Sequence, residues 1–265
     1  MSGQLTAILH HGPPALLVIF RLAGLMIFAP MLGSTMLPAR VKIFLSLVLG
    51  LAVYPTVRIQ MADHAPLALD LWSLTPLLFA ELLIGAAIGF MAGLPLISVS
   101  VGGLMMGQQM GLGFARLFNP AAGVDQNVIG QILFMVAMVG FVMIGGIESM
   151  VLAVLHSFEH LPPPALGGVG DHLEMLSVIV GLLAAAFEMA MRVAAPLLAL
   201  IFLQTLAMGF IAKSLPQVNI LSLGFPMRIL AGLVIIALGL VVLDEVVMDL
   251  VTDSLDHILA WVESF

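Results

Sequence analysis

The sequence has no cysteine, one tyrosine and two tryptophans, and it is poor in charge of either sign. Without cysteine, the chain can form neither disulfides nor thiolate metal sites. Only 9% of its 265 residues are charged, whereas an ordinary soluble domain carries about 25%. These charges are too few to cover a water-facing surface, which excludes a soluble globular fold and a disordered one. The net charge of −7 argues against nucleic acid as a partner.

The chain consists largely of long apolar segments. Hydrophobic residues make up 62% of the chain, and the mean hydropathy is +1.22. Most of the apolar segments reach the roughly 20 residues that cross a bilayer as a helix. Their approximate bounds are 13–33, 41–57, 72–101, 128–155, 176–211 and 227–250. Because the runs do not alternate, they predict an all-α fold of the integral membrane type, with about six long, partly broken helices.

Prolines and basic residues add detail to this prediction. Kinks or breaks are expected where proline interrupts an apolar segment, at Pro30, Pro76, Pro95 and Pro196. Basic residues are concentrated in the connections after the first, third and fifth segments, and the other connections contain only Arg58. The residues in the first group are Arg40, Lys42, Arg116, Lys213 and Arg228. Since cytoplasmic loops are enriched in Lys and Arg, both termini are expected outside the cytoplasm.

One connection is neither a helix nor a loop by composition. Residues 102–127 are too glycine-rich for a regular helix and too apolar for a solvated loop. Flexible methionine side chains fill irregular gaps, and beside glycines they could close a pore yet deform around a passing chain. The alternative is a re-entrant packing element without a gating role. Residues 176–265 form a separable unit, with two long helices around one polar turn.

Charged residues inside apolar segments are functional candidates. Glu188 and Arg192 stand four residues apart, so they can pair on one helix face, and an ion or proton relay is the alternative. Glu81, Glu148 and Arg21 have no evident local partner. Each is expected to pair across helices or to face an aqueous cavity.

Two further patterns have a chemical and a structural interpretation. His156, Glu159 and His160 match the H-x-x-E-H pattern of a zinc peptidase, but Pro162 ends that helix, which favours a polar helix end at the membrane interface. Small residues at four-residue spacing let helix backbones approach closely. This spacing predicts dense helix packing at Gly85, Gly89, Gly93, Gly103, Gly107 and Gly111.

Three motifs carry a resemblance that covers nearly the whole chain. Pro30 precedes the stretch Leu37–Lys42, and Gly107–Ala115 precedes Asn119 and Pro120. The third motif joins Pro216–Ile220 to Gly224–Pro226. With these motifs the chain resembles the FliR / SpaR / YscT family of type III secretion export-gate subunits, and most closely its flagellar branch. Asn119 replaces a common Asp, and Leu117 stands where an aromatic residue is plausible.

The resemblance implies an assembly with FliP-like and FliQ-like subunits, near an FlhB-like switch subunit. Residues 1–175 are then expected to be FliP-like, including a plug loop at 102–127, and residues 176–265 to form a FliQ-like hairpin. The implied pore plug comprises Met106, Gln109, Met110, Gly111, Phe114, Leu117, Phe118, Asn119 and Pro120, with Met110, Phe114 and Phe118 facing the channel. The implied cytoplasmic hairpin comprises Lys213, Pro216, Gln217, Asn219, Phe225 and Pro226.

The expected function is that of a non-enzymatic subunit of the flagellar export gate, without a cofactor. It would line and plug a pore for unfolded substrate proteins. The expected location is the bacterial inner membrane, in contact with lipid and within the flagellar basal body, with the helical core raised toward the periplasm. The alternative is a secondary transporter for a small solute, with Glu81, Glu148 and Glu188 as coupling acids.

Overall fold

A computed structural model of the chain describes residues 2–34, 37–60, 71–112, 128–160, 172–214 and 224–238. Within these ranges every regular element is a helix, which confirms the all-α prediction. The helices are α1 (Ser2–Phe28), α2 (Ala39–Gln60), α3 (Leu71–Gln109), α4 (Val128–Met143), α5 (Gly146–His160), α6 (His172–Ser214) and α7 (Gly224–Leu238).

Three of the described helices are long and apolar enough to cross a membrane. The stretches that meet this test are Ala39–Arg58 in α2, Leu74–Gln109 in α3 and Ala190–Ile211 in α6. Helices α4 and α5 pass the test together, as one span bent at a short break. The architecture is therefore that of an integral membrane protein, as the hydropathy predicts.

Only some of the helix breaks expected at proline are present in the structure. Helix α1 ends at Phe28, and the chain turns at Pro30 as expected. Helices α3 and α6, in contrast, continue without a break through Pro76, Pro95 and Pro196. A break without proline separates α4 from α5, where Gly145 has a φ of +77°. Only glycine adopts this left-handed conformation readily, so a glycine interrupts the apolar run 128–155, which contains no proline.

The irregular stretch expected at 102–127 starts later than its composition predicts. Helix α3 continues to Gln109 and a turn follows to Leu112, while residues 113–127 lie outside the described residues. The expectation of irregular structure is thus wrong for 102–109. A Cβ on Gly103 would lie only 2.5 Å from Cα of Gly130 on α4. This close helix contact offsets the low helix propensity of glycine, about 1 kcal/mol per residue.

The chain divides into two compact units. The first combines residues 1–94, 145–180 and 251–265, and the second combines residues 95–144 and 181–250. Contacts within one chain do not test whether residues 1–175 and 176–265 are FliP-like and FliQ-like. That division stays a prediction.

In the first unit, α1 and α3 touch through their backbones. A Cβ on Gly85 would overlap the carbonyl oxygen of Arg21, and one on Gly89 would lie 2.7 Å from the carbonyl oxygen of Leu25. Residue numbers rise together along the two helices at this contact, so α1 and α3 run parallel. The predicted dense packing is confirmed for Gly85 and Gly89, and both contacts lie within the chain.

A tight turn follows α1 in the same unit. Met31 has a φ of +65°, an unusual conformation for a residue with a side chain. Lys42 Nζ donates a hydrogen bond of 2.8 Å to the carbonyl oxygen of Gly33. The lysine of the first family motif therefore ties the start of α2 to the turn that precedes it.

The α1–α3 contact generates a stability prediction. We expect Gly85→Leu to lower the free energy of unfolding by at least about 1–3 kcal/mol, because a side chain cannot fit against the Arg21 carbonyl. The control is Gly12→Leu, since a Cβ at Gly12 meets nothing within 4 Å. Thermal unfolding of both variants in detergent, followed by circular dichroism, measures the difference. Equal melting temperatures would contradict the prediction.

Candidate functional site

The C-terminal end of α3 forms the described part of the predicted plug. Met106 and Met110 are buried, with 3% and 1% of their surface exposed. Gln109 is exposed and Gly111 is half-buried. The predicted plug thus begins in the last turn of α3 and the turn that follows, with two buried methionines four residues apart. The other predicted plug residues lie outside the described residues: Phe114, Leu117, Phe118, Asn119 and Pro120.

Gly111 is the point at which the chain leaves α3. Its φ is +83°, in the left-handed region that commonly terminates helices at glycine. The amide of Gly111 donates a hydrogen bond of 3.1 Å to the carbonyl oxygen of Gln108, and the amide of Met110 donates one of 2.9 Å to that of Met106. A side chain at position 111 would strain this turn.

Met110 packs on the backbone of α7. A Cβ on Gly232 would lie 2.5 Å from Sδ of Met110, so the thioether occupies the space that glycine leaves free. The root of the predicted plug is therefore covered by another helix of the same unit. Whether Met110, Phe114 and Phe118 face a channel stays a prediction.

Helices α6 and α7 lie against each other beside this contact. Arg228 Nη2 donates a hydrogen bond of 3.1 Å to Oγ1 of Thr205. Lys213 is exposed in the last turn of α6, where a cation favours the helix dipole. Phe225 is half-buried and Pro226 is exposed in the first turn of α7. The other predicted hairpin residues lie outside the described residues: Pro216, Gln217 and Asn219.

Glu188 and Arg192 are joined by an ion pair on α6. The distance from Arg192 Nη2 to Glu188 Oε1 is 2.7 Å, and the two side chains are 69% and 64% exposed, respectively. The apolar span of this helix starts at Ala190, so the two residues stand on either side of its first residue. Their location inside a membrane stays a prediction.

A second ion pair has no local sequence signal. Arg21 on α1 and Glu81 on α3 are both fully buried, and Nε of the arginine lies 2.6 Å from Oε2 of the glutamate. Nη1 of Arg21 also donates to the carbonyl oxygen and to Oγ of Ser157 on α5. The pairing across helices is one of the two options that the sequence left open. Nothing in the sequence singles out Ser157.

The remaining polar candidates lie at the ends of α5. Glu148 is exposed in its first turn, where an acid favours the helix dipole. His156, Glu159 and His160 are exposed in the last two turns. Within the described ranges, no three His, Asp or Glu side chains could hold a metal ion together. These positions therefore fit the interpretation of a polar helix end.

The chain is similar in sequence to several proteins of known name. The flagellar biosynthetic protein FliR of Bacillus subtilis (strain 168) is 24% identical over 266 residues, which cover 97% of this chain and 99% of the relative. FliR of Escherichia coli (strain K12) is 28% identical over 83% of this chain and 81% of its own length. The Yop proteins translocation protein T of Yersinia pestis is 26% identical over 68% of this chain and 67% of its own length.

These relatives confirm the resemblance carried by the three motifs. A profile of the family described as bacterial export proteins, family 1, matches residues 13–254. This match includes α2 to α7 completely and α1 from Pro13 onward. The chain therefore belongs to the bacterial export proteins, family 1.

Proposed function

We propose that this chain is a subunit of the inner-membrane gate of a type III protein-export apparatus, used for flagellar assembly. The observation that carries the proposal is the family match over residues 13–254, together with full-length likeness to a flagellar biosynthetic protein. The helices of membrane-spanning length support a place in the membrane. The proposed role is structural and steric, with no catalytic step and no cofactor.

The proposed gating element is the segment that follows Gly111. Helix α3 anchors it, because Met106 and Met110 are buried within the second unit. Beyond the glycine turn, Phe114 and Phe118 would block the pore together with neighbouring apolar side chains. A substrate chain would displace this segment while α3 stays in place. Methionine suits the anchor because its unbranched side chain adapts to changes in packing.

The proposed partners are FliP-like and FliQ-like subunits and an FlhB-like switch subunit. Much of the surface of α6 and α7 is apolar and uncovered by this chain: only 17% of the best apolar window of α6 is buried, and Phe210 is 76% exposed. Neighbouring apolar subunits and lipid would cover these side chains. In the finished complex, we propose, subunit contacts take the larger share, with the helical core raised toward the periplasm.

The three candidate coupling acids do not favour the alternative function of a small-solute transporter. Glu81 is buried in its ion pair with Arg21, and Glu188 is paired with Arg192. Glu148 is exposed at the start of α5. Each acid thus has a local structural role, and we propose a single function.

Removal of the plug tests the gating role. We expect deletion of residues 111–120 to raise ion conductance through the assembled complex many-fold, because α3 stays intact while the blocking segment is lost. Conductance of the purified complex in planar bilayers measures the leak. A deletion variant that assembles with its partners yet conducts no more than the parent complex would contradict the plug.

A point substitution tests the anchor of the plug. We expect Gly232→Leu to displace Met110, since a Cβ at this position already meets the Met110 thioether, and so to raise the leak less than the deletion does. Gly209→Leu is the control in the same unit, because a Cβ there meets nothing within 4 Å. Both variants are measured in the bilayer assay. The same low leak in both would show that Met110 does not hold the plug.

Composition of the purified complex tests the assembly. We expect the tagged chain to co-purify in single copy with two other highly apolar proteins, and native mass spectrometry gives the copy numbers. Isolation as a monomer or a small homo-oligomer, from cells that express all the export proteins, would instead favour a transporter.

A further inference from the structure

Arg228 is a cation on an apolar surface. It lies in the second turn of α7 and is half-buried. Its Nη2 donates a hydrogen bond of 3.1 Å to Oγ1 of Thr205, and no carboxylate in the described part of the chain pairs with it. Arg21 and Arg192, in contrast, each pair with a glutamate. Because a charge on an apolar helix is costly and is normally neutralised, α7 presents a cation that this chain leaves uncompensated.

The contact of Arg228 with Thr205 lies inside the apolar span of α6. A Cβ on Gly224 would lie 3.8 Å from Cε of Met208, so residue numbers run in opposite directions along α6 and α7. Thr205 precedes the end of the span at Ile211 by about 9 Å along the helix. An arginine that binds a lipid phosphate extends toward the end of its span. Arg228 is instead held nearly two turns inside it, which favours protein over lipid as the source of an anion.

Thr205 holds one edge of the guanidinium. Its hydroxyl donates to the carbonyl oxygen of Ile201 at 2.8 Å and accepts from Arg228, so its own helix orients it. A guanidinium has five N–H groups, and a carboxylate can bind two of them in parallel. The bond to Thr205 uses one N–H group, which leaves enough donors for a two-point contact with a carboxylate.

The side chains that flank this contact are apolar and exposed. The amide of the neighbouring Gln204 is buried and has no hydrogen-bond partner among the described residues. This level of the two helices therefore contains more hydrogen-bonding capacity than the described chain satisfies. An apolar surface with one uncompensated cation is complementary to an apolar helix with one acid. The flanking side chains, called here the Arg228 face, are Phe202, Leu206, Met227 and Leu230.

We propose that Arg228 forms an ion pair with one Asp or Glu on an apolar helix of a different subunit, which docks on the Arg228 face. This inference rests on the proposed function, because it requires the assembled complex, and it names the chemistry of the contact. A helix without an acid at this level leaves the cation buried and unpaired, which is strongly unfavourable. The ion pair thus selects which apolar subunit docks and at what depth.

Photo-cross-linking identifies the helix that covers the Arg228 face. Phe202, one turn from Thr205, is replaced by the aromatic photo-cross-linker p-benzoylphenylalanine in the tagged full-length chain. The complex is assembled in cells that express all the export proteins, irradiated and analysed by mass spectrometry. We expect an apolar peptide of another subunit, with Asp or Glu within two turns of the cross-link. A peptide of a second copy of this chain, a peptide without an acid, or cross-links to lipid alone would each overturn the proposal.

Substitutions at the contact test the role of charge. Arg228→Met keeps the apolar stem and removes the charge, so we expect the fraction of chain that co-purifies with its partners to fall about fivefold or more. Thr205→Val removes the acceptor at nearly the same shape, and we expect a smaller fall. The control is Arg58→Gln, which removes an exposed cation from α2 and leaves the fraction unchanged.

Charge exchange decides the assignment. We expect Arg228→Glu to abolish co-purification, and replacement of the cross-linked partner acid by Arg to restore it. If Arg228→Met and Arg228→Glu both co-purify as well as the parent, the ion pair is wrong while the export-gate proposal stands. A parent chain that co-purifies with no export protein contradicts both. If Arg228→Met does not accumulate, the exchanged pair and the cross-link made with Arg228 in place give the answer.

Discussion

Backbone contact between α1 and α3 is the constraint on which the first unit depends. Two helices touch this closely only where glycine replaces larger residues, and Gly85 supplies that space opposite Arg21. The same closeness makes a short arginine–glutamate contact possible one turn away, at Glu81. Arg21 then reaches α5 as well. Small residues therefore set the distance between α1 and α3, and the buried ion pair joins the same two helices.

In the second unit, glycines also allow close packing around the helix that leads to the predicted plug. Gly103 lets α3 approach α4, and Gly232 makes room for the Met110 side chain on α7. These contacts keep α3 helical as far as Gln109, after which Gly111 turns the chain. A rigid, well-packed helix thus leads directly to the segment proposed to move. A gate needs such a fixed support, because a mobile element can block a pore reproducibly only from a defined starting point.

Hydropathy alone predicts the helices of this chain well, because bilayer-length apolar runs leave few alternatives. Hydropathy does not predict which residues distant in sequence are in contact. Composition placed irregular structure at 102–109, where packing of Gly102 and Gly103 maintains a helix. Proline marked candidate breaks, yet the break between α4 and α5 lies at Gly145, where backbone conformation decides. The Arg21–Glu81 pair spans sixty residues, and two isolated charges in apolar segments do not reveal that they meet.

The length of α3 has a consequence for what surrounds it. Its 39 residues correspond to about 58 Å at 1.5 Å per residue, while the hydrocarbon core of a bilayer is only about 30 Å thick. Measured along the chain, the helix is thus nearly twice as long as that core is thick. Acyl chains alone therefore do not account for the cover of this apolar helix along its whole length. The chain itself supplies much of that cover, because 61% of the best apolar window of this helix is buried within the protein.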